Sequence, residues 1–120
     1  AAGADLYACE GTEVTIEAGE TKLVHTGLAL EIPEGYVGFL KSKSGLMVIN
    51  DITTDGTIDA HYTGSIKVKL FNQCGSKYEV KAGDKIAQLV ILPCVRPHLE
   101  LVDSMEETDR GDNGFGSTGR

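Results

Sequence analysis

Polar and apolar side chains alternate with period two along several short stretches, the pattern of strands that keep one face in a core and the other in water. Thr12-Glu13-Val14-Thr15-Ile16-Glu17 is the first. The cleanest covers residues 65–71, where Ile66, Val68 and Leu70 alternate with Lys67 and Lys69. Residues 23–32 and 36–40 are rich in strand formers and flank Pro33-Glu34-Gly35, in which proline pre-sets φ and glycine accepts unusual dihedrals, so a hairpin is expected there. Residues 78–80 give a shorter strand, and residues 85–92 and 99–102, split by Pro93 and Pro97, give the last two. Only residues 44–50 hint at a helical turn, and their apolar run Leu46-Met47-Val48-Ile49 reads equally as strand.

Strand signals this frequent, with Gly, Pro, Asn or Asp between them, predict an all-β chain, a jelly-roll-like barrel or sandwich with very little helix. No internal repeat argues for a solenoid or propeller. At 120 residues the chain has enough length for one hydrophobic core and too little for two. Residues 1–108 are expected to form the β-barrel. Residues 109–120 change character, with Gly, Ser and Thr around a single Phe, and form a tail.

Composition narrows the function. Hydrophobic residues at 41% and charged residues at 24% suit a folded globular protein. A formal charge of −7 opposes diffuse binding to a phosphate backbone, so no nucleic-acid partner is expected. A small anionic substrate stays open, because a few local cations, backbone N–H groups or a bound Mg²⁺ outweigh a modest global repulsion. Cys9, Cys74 and Cys94 are widely spaced, form no C-x-x-C pair, and read as buried or half-buried thiols of a reducing compartment, most simply the cytoplasm. The longest apolar run, residues 86–93, is interrupted by Gln88 and falls far short of a bilayer span, so no membrane is expected. The sequence starts at Ala1 without a charged-then-apolar leader, which predicts that a targeting signal is absent or removed.

The chemistry that remains concerns phosphate. Arg110-Gly111-Asp112-Asn113-Gly114-Phe115-Gly116-Ser117-Thr118-Gly119 joins closely spaced glycines, two hydroxyls and a guanidinium. Glycines let backbone N–H groups turn toward phosphate oxygens, and Arg110 adds a planar charged fork. Phe115, among residues too small to cover it, either buries against another surface or stacks on a flat ligand. The segment therefore reads as a frayed terminus or as a lid over an anion. It is not a Walker motif, because no Gly-Lys-Ser/Thr follows.

Gly56-Thr57-Ile58-Asp59-Ala60-His61-Tyr62-Thr63-Gly64 is hairpin-like, with glycines at both ends. An Asp at such a bend caps a turn, or it orients and deprotonates a water for attack on phosphorus. His61 need not bond to Asp59, since adjacent strand positions face opposite sides and i, i+2 neighbours need not hydrogen-bond. Lys41-Ser42-Lys43-Ser44-Gly45 is either a solvated strand end or a polyphosphate grip in which Lys43 counters charge and Ser44 donates. Gln88, set in an apolar run, must find partners inside the core or on a ligand. The absence of G-x-S-x-G and H-E-x-x-H argues against the usual serine hydrolases and zinc enzymes.

Taken in order, Ala2-Gly3-Ala4-Asp5-Leu6, Lys43-Ser44-Gly45-Leu46, Gly56-Thr57-Ile58-Asp59 with Tyr62 and Gly64, Gly83-Asp84-Lys85-Ile86-Ala87-Gln88, and Arg110 through Gly119 resemble the five motifs of the trimeric deoxyuridine triphosphate nucleotidohydrolases (dUTPases). The resemblance spans nearly the whole chain. It implies a jelly-roll-like fold, a homotrimer with active sites shared between subunits, Mg²⁺, and hydrolysis of dUTP to dUMP and pyrophosphate, which limits uracil incorporation into DNA and supplies dUMP.

Residue by residue, the resemblance implies that Asp59 activates the water that attacks the α-phosphorus. The stretch bearing Gly56 and Ile58 would read uracil through its backbone, and Tyr62 would pack under the deoxyribose. Lys43, Ser44, Gly45 and Gln88 would contact phosphates, and Asp5 would hold hydrated Mg²⁺ through water. In the tail, Phe115 would cover uracil while Arg110, Gly116, Ser117 and Thr118 close on the phosphates. Lys43 stands where family members usually carry Arg, and Asp112-Asn113 replaces a smaller pair. Two alternatives share the fold: a dCTP deaminase-like enzyme, for which no Glu stands in the 56–64 stretch, and a dUTP-responsive binding or regulatory protein.

Overall fold

The computed structural model describes residues 2–114 and 116. Nine strands and one short helix follow in the order β1 (Ala4–Tyr7), β2 (Glu13–Ile16), β3 (Thr21–Ala29), β4 (Tyr36–Lys41), α1 (Ser44–Asn50), β5 (Ile52–Thr53), β6 (Asp55–Ile58), β7 (Ser65–Asn72), β8 (Tyr78–Lys81) and β9 (Lys85–Pro93). They form three antiparallel sheets with strand orders β1-β9-β4-β6, β2-β8 and β3-β7-β5. The architecture is jelly-roll-like and all-β, as the strand periodicity predicts.

Alternation works as the physics of the pleat requires. Along β7 exposed and buried residues alternate without a break, with Ile66, Val68 and Leu70 almost fully buried. Each of the nine strands sends at least one residue into a single apolar cluster, among them Leu6, Ile16, Val24, Leu40, Ile52, Ile58, Val80 and Ile86. Burying an aliphatic side chain of this size stabilises by about 1.5–3 kcal/mol, so strands of only four residues stay fixed when each contributes one.

Four expectations need correction. The Pro33-Glu34-Gly35 turn exists, with Tyr36 N–H donating to the Pro33 carbonyl at 3.2 Å, yet it joins strands of different sheets and makes no hairpin. β3 pairs with β7 and β4 pairs with β6 and β9, because periodicity fixes which face is inward and leaves the pairing partner open. Residues 56–64 likewise connect β6 of one sheet to β7 of another, so they are no two-stranded ladder. Residues 99–102 form no strand: past Pro93 the described chain has no regular structure, and Leu99 and Leu101 lie in solvent with nothing to pair against. Cys94 is exposed, whereas Cys9 and Cys74 are half-buried.

The ambiguous run at 44–50 is helix, ended by Asp51 in the left-handed conformation at φ 52° with its N–H on the Leu46 carbonyl. None of its residues is buried, and Met47, Val48 and Ile49 face outward. Together with the arm after Pro93, this leaves much apolar surface uncovered in the single chain. The arm also explains a radius of gyration of 18.9 Å, against about 14 Å for a compact domain of this length. Among the described residues no helix is long and apolar enough to cross a membrane.

Candidate active site

Among the described residues β6 is the edge of its sheet, bonded only to β4. β7 is paired along one side by β3, whereas on its other side β5 reaches only Phe71 and Asn72. The two strands therefore splay, and between them lies a cavity of about 420 Å³ lined by Gly56, Ile58, Asp59, Tyr62, Ile66 and Lys67, among others. Successive residues of a strand direct their backbone groups to alternate sides. The Ile66 carbonyl accepts from the Thr26 hydroxyl of β3, and the Lys69 carbonyl accepts from the Thr54 hydroxyl on the opposite side. By that alternation the N–H and C=O of Lys67, whose register partner on β3 is His25, point away from β3, to the side that β5 does not reach and where Lys67 lines the cavity.

Asp59 follows the last residue of β6, at the mouth of this cavity, and also borders a second one of about 260 Å³. Its carboxylate is exposed and has no hydrogen-bond or ion-pair partner among the described residues. The Tyr62 N–H donates to the Asp59 carbonyl at 3.2 Å, closing a turn, and the Tyr62 hydroxyl donates to the Ser65 carbonyl at 3.0 Å. His61 does not face Asp59: its Nε2 donates to Glu34 Oε2 at 2.9 Å.

A second cluster forms where β1, β9 and the end of β4 meet. Asp5 lies opposite Gln88, and Gln88 lies opposite Lys41. Lys43 Nζ donates to Asp5 Oδ1 at 3.1 Å, and Lys85 Nζ stands 3.5 Å from Oδ2. The hydrogen-bonded ammonium of Lys43 holds the Asp5 carboxyl below the usual aspartate range against the opposing effect of burial, and the Lys85 charge adds to it. Gln88 Nε2 donates to the Ser42 carbonyl at 3.1 Å. Ser42 Oγ is bonded to both the C=O and the N–H of Thr54, so the loop ahead of α1 is tied to the start of β6. Gly3 makes room for the amide: a Cβ there would stand 2.6 Å from Gln88 Oε1.

Ser44 and Gly45 are exposed, and a Cβ on Gly45 would meet nothing within 4 Å. Glycine inside a helix weakens it, and this chain's own packing gives no reason for one here. Arg110 lies in the exposed arm, its Nε donating to the Asn113 carbonyl at 2.6 Å in a local turn. Gly116 is exposed, and Phe115, Ser117 and Thr118 lie outside the described residues.

The structure thus joins Gly56, Ile58, Asp59 and Tyr62 at one cavity and Asp5, Lys43 and Gln88 at another place. Asp55 pairs with Lys41 and Ile58 with Gly38, so Ile58 and Asp59 lie about 10 Å or more along β6 from the end that carries Lys41, with Gly56 between. Sequence reading missed Lys67, Thr54, Lys85 and Glu34, since each acts through a partner distant in the chain. Among the described residues no group of three His, Cys, Asp or Glu is placed to hold a metal.

Residues 1–119 match the family model dUTPase. The deoxyuridine 5'-triphosphate nucleotidohydrolase of Syntrophotalea carbinolica is 47% identical over 122 residues, covering 99% of this chain and 83% of that protein. That of an Anaeromyxobacter species is 48% identical, covering 100% and 82%. A mutant dUTPase of Staphylococcus bacteriophage 80alpha, solved with dUpNHpp, has a TM-score of 0.90 at 30% identity and covers 100% of this chain and 87% of its own. A mutant dUTPase from phage phi11 of S. aureus, described for its coordination of a structural Mg(II) ion, has a TM-score of 0.80 at 30% identity, covering 89% and 86%. With a family match along nearly its full length and relatives this similar in both sequence and fold, the chain belongs to the dUTPase family.

Proposed function

We infer that this chain is a dUTP diphosphatase: water adds to the α-phosphorus of dUTP, the bond to the bridging oxygen breaks, and dUMP and pyrophosphate leave. The supporting observation is the carboxylate of Asp59, without a partner among the described residues, at a cleft that Lys67 lines on the side of β7 facing away from β3. Uracil presents a donor N3–H beside an acceptor O4, the complement of an open peptide edge. Asp59 takes the proton of the attacking water as general base. Tyr62 supports the sugar, where steric fit would exclude a 2′-hydroxyl.

In this reading Lys43, Ser44, Gly45 and Gln88 bind the phosphates. They lie toward the other end of β6 from Asp59, and a homotrimer whose sites combine the base pocket of one subunit with the phosphate grip of another would bring the two groups onto one nucleotide. The uncovered apolar faces of α1 and the arm fit such an assembly. The tail, residues 109–120, closes over the site, with Phe115 on the base and Arg110, Gly116, Ser117 and Thr118 on the phosphates, excluding bulk water. Free thiols throughout suit a cytoplasmic location.

Mg²⁺ fits this set. It keeps several waters and binds through one or two carboxylates plus substrate phosphates, and Asp5, beside the phosphate-binding residues, supplies one carboxylate. When bound it neutralises charge developing on the triphosphate. Asp5 would hold it through water, after Lys43 turns from the carboxylate toward a phosphate.

The test is pyrophosphate release from dUTP, UTP, dTTP and dCTP in the presence of Mg²⁺. Turnover confined to dUTP is expected. Ammonia from dCTP, or binding of dUTP without turnover, would overturn the reading.

A further inference from the structure

His61 holds a backbone conformation that side-chain-bearing residues rarely adopt, with φ at 68°. Such a conformation persists when its surroundings over-determine it. Here two bonds do so. The His61 N–H donates to the Ile32 carbonyl at 3.0 Å, and Nε2 donates to Glu34 Oε2 at 2.9 Å. Both acceptors belong to the segment that leads into β4, which is itself closed by the Tyr36 to Pro33 bond and tied to the end of β9 by the Cys94 N–H on the Gly35 carbonyl at 2.8 Å.

Asp59 lies two residues before His61, where the ladder between β6 and β4 has just ended at Ile58 and Gly38. Past that pair, the sheet no longer fixes the backbone. The turn that carries Asp59 is held on one side by Tyr62 on Ser65 and on the other by His61 on Ile32 and Glu34. The Glu34 contact spans 27 residues of sequence and is a second bond between these two loops, beside that of the His61 N–H on the Ile32 carbonyl.

We propose that His61 and Glu34 are positioning residues, a clamp that aims the Asp59 carboxylate between the two cavities it borders. The proposal rests on the reading of Asp59 as the group that activates water. The pair is exposed, at 65% and 69% of the side-chain surface, and exposed ion pairs contribute little to global stability. Its effect belongs in the rate, because general-base catalysis depends steeply on alignment.

The experiment uses the full chain with dUTP and Mg²⁺ and compares Glu34→Ala, His61→Asn, the double variant and Glu34→Gln. Asn tolerates the left-handed backbone, so His61→Asn removes the clamp without forcing a new fold on the turn. Each single variant is expected to lower kcat about three- to tenfold with KM within about twofold, and the double variant to be no slower than the singles, since both remove one interaction. Glu34→Gln keeps an oxygen for the imidazole N–H and should recover most of kcat. Melting temperatures should stay within about 2 °C of the parent. Unchanged kcat in both single variants, losses that multiply in the double, or losses that follow a falling melting temperature would overturn the clamp. Asp59→Asn run alongside separates the two ideas: an active Asp59→Asn enzyme sinks the water-activation reading, whereas an inactive one beside normal clamp variants sinks the clamp alone.

Discussion

The phenol of Tyr62 lies across Gly64, so closely that a Cβ on the glycine would stand 2.6 Å from Cζ and 2.9 Å from Cε1 of the ring. Gly64→Ala must therefore displace the ring and break its bond to the Ser65 carbonyl. Tyr62 is 47% exposed, so the ring can swing into solvent without straining the core. A stability loss below about 1 kcal/mol is expected, together with a rise of about tenfold in KM for dUTP as the sugar loses its support. Steady-state kinetics beside a thermal melt would decide, and an unchanged KM would count against Tyr62 as the sugar platform.

Gly45 offers the opposite trade. A Cβ there is unopposed, and alanine favours helix by up to about 1 kcal/mol over glycine. Gly45→Ala should leave the melting temperature equal or higher while kcat/KM for dUTP falls, because the phosphates lose close approach to the backbone. Full activity in this variant would remove Gly45 from the phosphate grip.

Asp5 makes stability depend on acid. Its pKa is depressed in the folded protein by the hydrogen bond from Lys43 and by the charge of Lys85. The stabilisation is therefore complete above the unfolded aspartate value of about 3.9 and is lost as pH falls through the lower folded value. The gap in melting temperature between the parent and Asp5→Asn should be open at neutral pH and close in strong acid. A gap of constant size down to about pH 2, roughly two units below that value, would show that charge pairing is not its source.

How much of this was legible follows from what each signal encodes. The pattern of Ile66, Val68 and Leu70 against Lys67 and Lys69 fixed the faces of β7, because burial of alternate residues is a local property. Pairing is not local. The turn at Pro33-Glu34-Gly35 was visible, but that β3 turns to β7 and β4 to β9 depends on residues far along the chain, such as Thr26 on Ile66, 40 positions apart. The run at 99–102 carried strand-like residues without a partner strand among the described residues to complete them. At the site, Asp59, Tyr62 and Gly56 shared one short stretch and could be named together. Lys85 and Glu34 could not, since Lys85 reaches Asp5 across the sheet and Glu34 reaches His61 across a loop.

The central claim is that the Asp59 carboxylate activates water. The direct measurement is single-turnover release of pyrophosphate from dUTP with Mg²⁺ by Asp59→Asn, beside the affinity of the same variant for a non-hydrolysable dUTP analogue. Asn preserves size and removes the base, so the rate should fall by about 10²- to 10⁴-fold with affinity within a few-fold of the parent. A rate within about tenfold of the parent, at equal affinity, would contradict it.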